Sequence, residues 1–285
     1  MGKKSICVGA LSDVGSVKKS NQDSILVKIG EEAAGEFGIF VVADGMGGLA
    51  AGGTASEIAV SEIKHWWEGR LGAILSHAAG YDINNIGKEL DSLIYTIHEK
   101  VANYGRLIGD KVGTTLSLLF ILRDQFIIKH VGDSRIYIIN REIQQATLDH
   151  SWVEQQVREG KMSRVEAKVH PRRNVLTQCI GASDVLEIYT YNGIVFPQDI
   201  FLLCSDGFYN HINDEEIFDA SVKYRKSFIE NRNTYDIQSV VANFFELVEC
   251  RGATDNVSAI LAFIYEPHKK GFLSKIKGFM LNENT

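Results

Sequence analysis

The chain has 285 residues, a formal net charge of −6 and a hydrophobic fraction of 45%. That apolar content excludes intrinsic disorder, and the negative balance excludes bulk attraction to nucleic acid. No apolar run approaches the roughly 20 residues of a membrane-spanning helix. The opening segment, MGKKSICVGALSDVG, is basic but has no long apolar stretch and no small-residue cleavage pattern, so no secretory leader is expected. Ile6 stands where an N-myristoylation motif needs Ser or Thr. The cysteines Cys7, Cys179, Cys204 and Cys250 form no C-x-x-C pair, which fits reduced thiols in a cytoplasmic protein.

In chain order, SICVGAL and GIFVVA read as strands. After GIFVVA, Gly45, Gly47 and Ala50 satisfy a loose G-x-G-x-x-A spacing, the sign of a dinucleotide site when it joins a strand to a helix. Asp44, however, puts a carboxylate where a pyrophosphate would lie. Either the spacing is accidental or the loop holds something positive. Ile58, Ala59, Ile63 and Trp66 then mark one helix face, and Ile83, Ile86, Leu90, Leu93, Ile97 and Val101 mark another. TTLSLLFIL and QFIIKHVG form an expected hairpin turning at Arg123 and Asp124, and a second hairpin turns near Asn140 and Arg141. SWVEQQVREG reads as a helix ended by Gly160, DIFLLCS as a strand, Ile237 to Glu249 as a helix and NVSAILAFI as a strand. Strands in hairpins with helices in separate blocks argue α+β, with helices packed on antiparallel sheets. A dinucleotide fold would instead need a parallel βαβ unit with an acidic residue about 20 positions on; Glu62 has the nearest spacing but belongs to a helix pattern.

The aspartates recur at strand ends. Asp44 ends GIFVVA, Asp133 ends FIIKHVG, Asp206 ends DIFLLCS, Asp255 precedes VSAILAFI, and Asp23 precedes a short apolar run. Each alone is ordinary turn chemistry. Gathered at one rim they would repel one another unless cations lay between them, and hard divalent ions prefer oxygen donors. The sequence has no H-E-x-x-H and no Cys/His cluster, so zinc is not expected. A two-metal carboxylate site suits phosphoester hydrolysis. Gly45 then makes sense as a residue that turns sharply and lets its carbonyl approach a metal without a Cβ in the way.

Seven blocks in order carry a resemblance over about Ile6 to Ile264: SDVGSVKKSNQDS, VVADGMGG, GTTL, VGDSRIY, LDHSWVEQQVREGKMSRVEAKVHPRRNVLTQCIG, LLCSDGFYNHI and GATDNVSAIL. The chain resembles the bacterial branch of the type 2C (PPM) metal-dependent Ser/Thr protein phosphatases. The resemblance implies an α-β-β-α sandwich, residues 1–265, with a flap at about 148–181 beside a metal cleft. It implies that Asp44 bridges two Mn²⁺ or Mg²⁺ ions, that the Gly45 carbonyl, Asp206 and Asp255 complete the protein ligands, and that Asp23 acts through a bound water. Asp133 would help hold a third ion, Asn256 would support the structure, and His170, Arg172 and Arg173 on the flap would meet substrate, with solvated loop charges as the competing reading of those three. A hydroxide bridging the metals would attack phosphorus in phosphoserine or phosphothreonine. The implied partners are phosphorylated proteins, including a cognate Ser/Thr kinase or its targets in a signalling system, acted on by a monomer.

Three positions depart from the family pattern. Lys18 replaces the usual arginine that grips phosphate, keeping the charge but losing the bidentate fork. Met46 stands where eukaryotic members have a histidine, and Leu49 where many bacterial members have one. A catalytically weak phosphoprotein-binding module of the same fold is the alternative, though all the candidate carboxylates are present. No Cys-x5-Arg loop supports a thiol nucleophile. In the tail, 266–285, Phe272, Leu273, Ile276, Phe279 and Met280 share a helical face beside Lys269, Lys270, Lys275 and Lys277, a pattern suited to a membrane surface or a partner. Gly271 and Gly278 weaken that helix, so a frayed or packed tail is the competing reading.

Overall fold

Continuous apolar strand runs need cover on both faces, and the architecture supplies it. The computed structural model describes residues 3–48, 51–76, 82–231 and 236–267. The tail from residue 268 onward and Leu49 lie outside the described residues. The strands are β1 (Ser5–Asp13), β2 (Asp23–Glu32), β3 (Gly35–Met46), β4 (Gly113–Thr114), β5 (Leu116–Leu122), β6 (Gln125–Val131), β7 (Arg135–Ile139), β8 (Ile143–Gln145), β9 (Tyr189–Ile194), β10 (Ile200–Cys204) and β11 (Val257–Tyr265). The helices are α1 (Ala51–Gly69), α2 (Leu71–Leu75), α3 (Ile83–Ile108), α4 (Trp152–Arg158), α5 (Arg164–Val169), α6 (Asp206–Tyr209), α7 (Asp214–Asn231) and α8 (Ile237–Cys250).

One sheet runs β1-β11-β10-β7-β8 and the other β2-β3-β5-β6-β9, with β4 paired to the end of β3. The pairings within these sheets are antiparallel. Side chains alternate between two apolar layers. On β3, Phe40 and Val42 meet Phe201, Leu203, Ile260 and Ala262 of the facing sheet. Ile39 and Val41 point the other way, onto Ala59 and Ile63 of α1 and Ile86, Leu90 and Ile94 of α3. On β11, Leu261 and Phe263 pack toward α7 and α8, against Ile217, Tyr224, Val241 and Phe244. The result is the expected helix–sheet–sheet–helix stack.

The two expected hairpins are present, β5–β6 and β7–β8. Between them the chain leaves one sheet and enters the other through Gly132–Ser134. Gly132 has φ 108°, a conformation that favours glycine, and this crossing carries Asp133 to the rim. β2 and β9 lack a clean period in the sequence, and their burial patterns mix intermediate and exposed positions. The 18-residue α7 buries Ile217, Ser221 and Tyr224 on one face. β3 is flanked antiparallel on both sides by β2 and β5, so the glycine loop after it does not belong to a parallel βαβ unit. That removes the dinucleotide reading.

Candidate active site

Sheet register brings the strand-end carboxylates to one rim. Asp23 and Asp44 are direct partners across β2 and β3. Asp206 begins α6 just after β10, and Asp255 lies just before β11, the antiparallel neighbour of β10. Beyond the last paired residues the Ser205 N–H donates to the Ser258 carbonyl at 3.0 Å, and the Ser258 N–H donates to Ser205 Oγ at 2.9 Å, which holds these two loops together. The Asp44 N–H donates to Thr115 Oγ1 at 2.9 Å, and Thr115 Oγ1 lies 2.7 Å from Ser134 Oγ, next to Asp133. Small hydroxyl side chains thus tie the Asp44 strand to the Asp133 crossing.

Gly45 is required by close approach rather than by a turn. A Cβ there would fall 2.0 Å from the Gly52 carbonyl oxygen and 2.6 Å from that of Gln22. The Gly45 N–H also donates to the Gln22 carbonyl at 3.0 Å. Asn256, 3% exposed, ties down the loop that bears Lys18. Its Nδ2 donates to the carbonyls of Val14 (2.8 Å) and Ser20 (3.1 Å), and its Oδ1 accepts from the Gln22 N–H at 2.9 Å.

The carboxylates perturb one another strongly. Burial first, then Asp23, Asp206, Asp133 and Asp255, holds the Asp44 carboxyl well above its usual range, although its side chain keeps a partial opening to solvent. Burial and then Asp206 push Asp133 up to about 8, against the pull of Arg135. Burial and then Asp255 raise Asp206 to about 6. Burial raises Asp23 to about 6; neither of its oxygens has a hydrogen-bond donor in bonding geometry, and the nearby Ser258 and Ser205 hydroxyls offset only part of the cost. Lys18 is ion-paired with Asp255, Nζ to Oδ1 2.8 Å, and that contact raises its own proton affinity.

Among the described residues no three His, Cys, Asp or Glu side chains close into a metal cage. The donor set nonetheless fits divalent cations. It is all oxygen, it is short of positive charge, and it includes a buried carboxylate without a donor. Such a rim suits ions that share carboxylates and complete their shells with carbonyls and water, rather than one ion in a closed cage.

The flap residues are split. His170 packs against Trp152 with ring centroids 5.0 Å apart and the ring planes tilted by 33°, and the Arg172 guanidinium lies 5.1 Å over the same ring. Arg173 instead lines a cleft of about 920 Å³ that has Asp133 in its wall. Sequence reasoning missed the half-buried group in the wall of this cleft, Arg135, Asp149 and Tyr209, although all three lie within the quoted blocks. A pairing of a strand-start arginine with an aspartate 14 residues later has no periodic signal.

An antiparallel double sheet with a rim of oxygen donors is the scaffold of a metal-assisted hydrolase. The chain matches the family model described as Protein phosphatase 2C over residues 16–246, and it belongs to that family. It is 32% identical over 226 residues to "Serine/threonine phosphatase stp" of Listeria welshimeri, spanning 78% of this chain and 83% of that one. It is 33% identical over 225 residues to "Protein phosphatase PhpP" of Streptococcus pneumoniae, spanning 74% and 82%. Among solved structures, the serine/threonine phosphatase of S. agalactiae superposes with a TM-score of 0.76 at 28% identity, over 91% of this chain and 99% of that one. The catalytic domain of the phosphatase PstP, solved with two manganese ions, superposes with a TM-score of 0.72 at 25% identity, over 92% and 100%. Among the described residues no helix is long and apolar enough to cross a membrane.

Proposed function

We propose that the chain removes phosphate from phosphoserine and phosphothreonine in proteins by metal-dependent hydrolysis at the aspartate rim. The observation that carries this reading is the gathering of Asp23, Asp44, Asp206 and Asp255 at one rim by strand register and by the β10–β11 pairing, with Asp23 buried and without a hydrogen-bond donor in bonding geometry. Asp44, the Gly45 carbonyl, Asp206 and Asp255 would hold two Mn²⁺ or Mg²⁺ ions, Asp133 a third, and Asp23 would act through water. When bound, the two catalytic ions supply Lewis acidity toward water and the phosphoryl oxygens.

The chain's own residues do the rest. Lys18 reaches the rim from the loop held by Asn256, where its ammonium can exchange Asp255 for a phosphate oxygen. Arg173 and the cleft beside the flap, 148–181, receive the polypeptide around the phosphoresidue. The thiols nearest the site, Cys179 and Cys204, are buried, and burial raises both above the usual thiol range, which disfavours a thiolate nucleophile. The substrates are phosphorylated proteins, among them a cognate Ser/Thr kinase or its targets. We place the activity in the cytoplasm because none of the four cysteines is paired.

The test is hydrolysis of p-nitrophenyl phosphate by purified protein with Mn²⁺, with Mg²⁺ and with chelator, beside Asp44→Asn and Asp255→Asn. Metal-dependent turnover lost in both variants is expected. No turnover at any metal concentration in a folded protein would replace the reading with a phosphoprotein-binding module.

A further inference from the structure

Arg135, at the start of β7 and two residues after Asp133, touches both walls of the cleft beside the rim. Toward the flap, its Nη2 donates to Asp149 Oδ2 at 2.7 Å, and its Nε lies 3.1 Å from each Asp149 oxygen. Toward α6, its guanidinium lies 3.7 Å over the Tyr209 ring. Its Nη1 donates to the Tyr137 hydroxyl at 3.1 Å. Asp149 is also held from its other side, since Gln145 Nε2 donates to its Oδ1 at 2.7 Å. The Asp149 side chain is 9% exposed.

The positions of these partners give the cluster its consequence. Asp149 stands two residues before Ser151, the N-cap of α4, and so at the root of the flap. The neighbouring His150 is fixed to the same crossing, its N–H donating to the Gly132 carbonyl at 2.7 Å and its Nδ1 accepting from the Gly132 N–H at 3.2 Å. Tyr209 ends the short helix that opens with Asp206. The cleft of about 920 Å³ lies between the flap, including Glu154, Arg164 and Lys168, and the segment from Tyr209 to Glu215. One planar cation therefore bridges the root of one wall to the base of the other.

We infer that Arg135 is a positioning residue that clamps the flap root to the α6 turn, setting the width of the cleft that receives the polypeptide flanking the phosphoresidue. The inference rests on the phosphatase reading for the word substrate, but the clamp itself is a mechanical claim. A lysine would keep the charge and lose both the bidentate pair with Asp149 and the stacking on Tyr209. A small phosphoester needs only the rim, whereas a phosphopeptide needs the cleft.

The experiment compares wild type, Arg135→Lys and Asp149→Asn by two readouts. The first is the rate of limited tryptic cutting within the flap, at Arg158, Lys161, Arg164 and Lys168. The second is kcat and KM with Mn²⁺ for p-nitrophenyl phosphate and for a phosphothreonine peptide. Flap cutting about tenfold faster in both variants is expected, as local opening becomes easier. The phosphopeptide kcat/KM should fall about tenfold further than that of p-nitrophenyl phosphate, mainly through KM. Unchanged flap cutting, or equal loss on both substrates, overturns the clamp. So does loss of the folded state in both variants, because the pair would then support the whole core rather than the flap. If wild type hydrolyses neither substrate, the phosphatase reading fails, and the tryptic rates still decide the clamp.

Discussion

Asp23→Asn tests whether the rim is strained by its own charge. Asp23 is 7% exposed, and its oxygens have no donor in bonding geometry among the described residues. Folding raises its pKa from 3.8 to about 6, with burial as the main cause and Asp206 and Asp255 adding to it. A carboxyl whose folded pKa is raised binds its proton more tightly in the native state. Its favourable contribution is complete below the unfolded value and is lost as pH rises through about 6. The gap of about two pH units corresponds to about 3 kcal/mol lost at pH 7.5 in the metal-free protein. Asparagine keeps the volume and removes the charge. It also relieves Asp44, for which Asp23 is the foremost neighbouring charge.

In EDTA at pH 7.5, Asp23→Asn should therefore raise stability by about 3 kcal/mol, or Tm by about 6 °C for a chain of this length. At pH 3, below the unfolded value of 3.8, where the carboxyl is protonated in both the folded and the unfolded chain, the difference should vanish. Thermal unfolding followed by circular dichroism at the two pH values measures both. A variant less stable than wild type at pH 7.5 in EDTA, or a difference that persists at pH 3, would refute the reasoning. Saturating Mn²⁺ should reverse the order, because the ion neutralises the rim in wild type and binds the variant less well.

Three further outcomes are expected. Mn²⁺ at a hundred times its Kd should stabilise the wild-type protein by about 2.7 kcal/mol in the same melt, and Asp44→Asn should abolish the gain. Lys18→Arg should lower KM for p-nitrophenyl phosphate by about threefold by restoring the bidentate fork; an unchanged or raised KM would count against Lys18 as the phosphate contact. Gly45→Ala should cost about 3 kcal/mol in urea unfolding, because its Cβ would meet the Gly52 carbonyl oxygen at 2.0 Å and backbone cannot swing away as a flexible side chain does.

Much of the fold was legible because its signals are local. The stripes on α1 and α3 and the apolar runs of β3, β5, β10 and β11 follow from residue spacing, since each must bury a face. In the α3 stripe Ile94 took the fully buried place and Leu93 only a partial one, an adjacent-position difference that periodicity does not resolve. β2 was harder to read, because as an edge strand it is only partly covered. The aspartates were legible as a group because each ends or precedes a strand, and turn chemistry is written in neighbouring residues.

What joins those aspartates is not local. Asp23 and Asp44 meet through strand register, Asp206 and Asp255 through the pairing of β10 with β11, and Asp133 through a chain crossing between sheets. The ion pair of Lys18 with Asp255 joins residues 237 positions apart, and the bridge from Asp149 through Arg135 to Tyr209 joins the loop before α4 to β7 and α6. The sequence by itself determined most of the segments that become strands and helices, β9 and α7 excepted, and which carboxylates end the strands, because those choices depend on neighbours a few residues apart. Only the tertiary structure decided which charges share a rim and that Arg135 lies between Asp149 and Tyr209, because electrostatic and packing energies depend on distance in space, which chain order does not record.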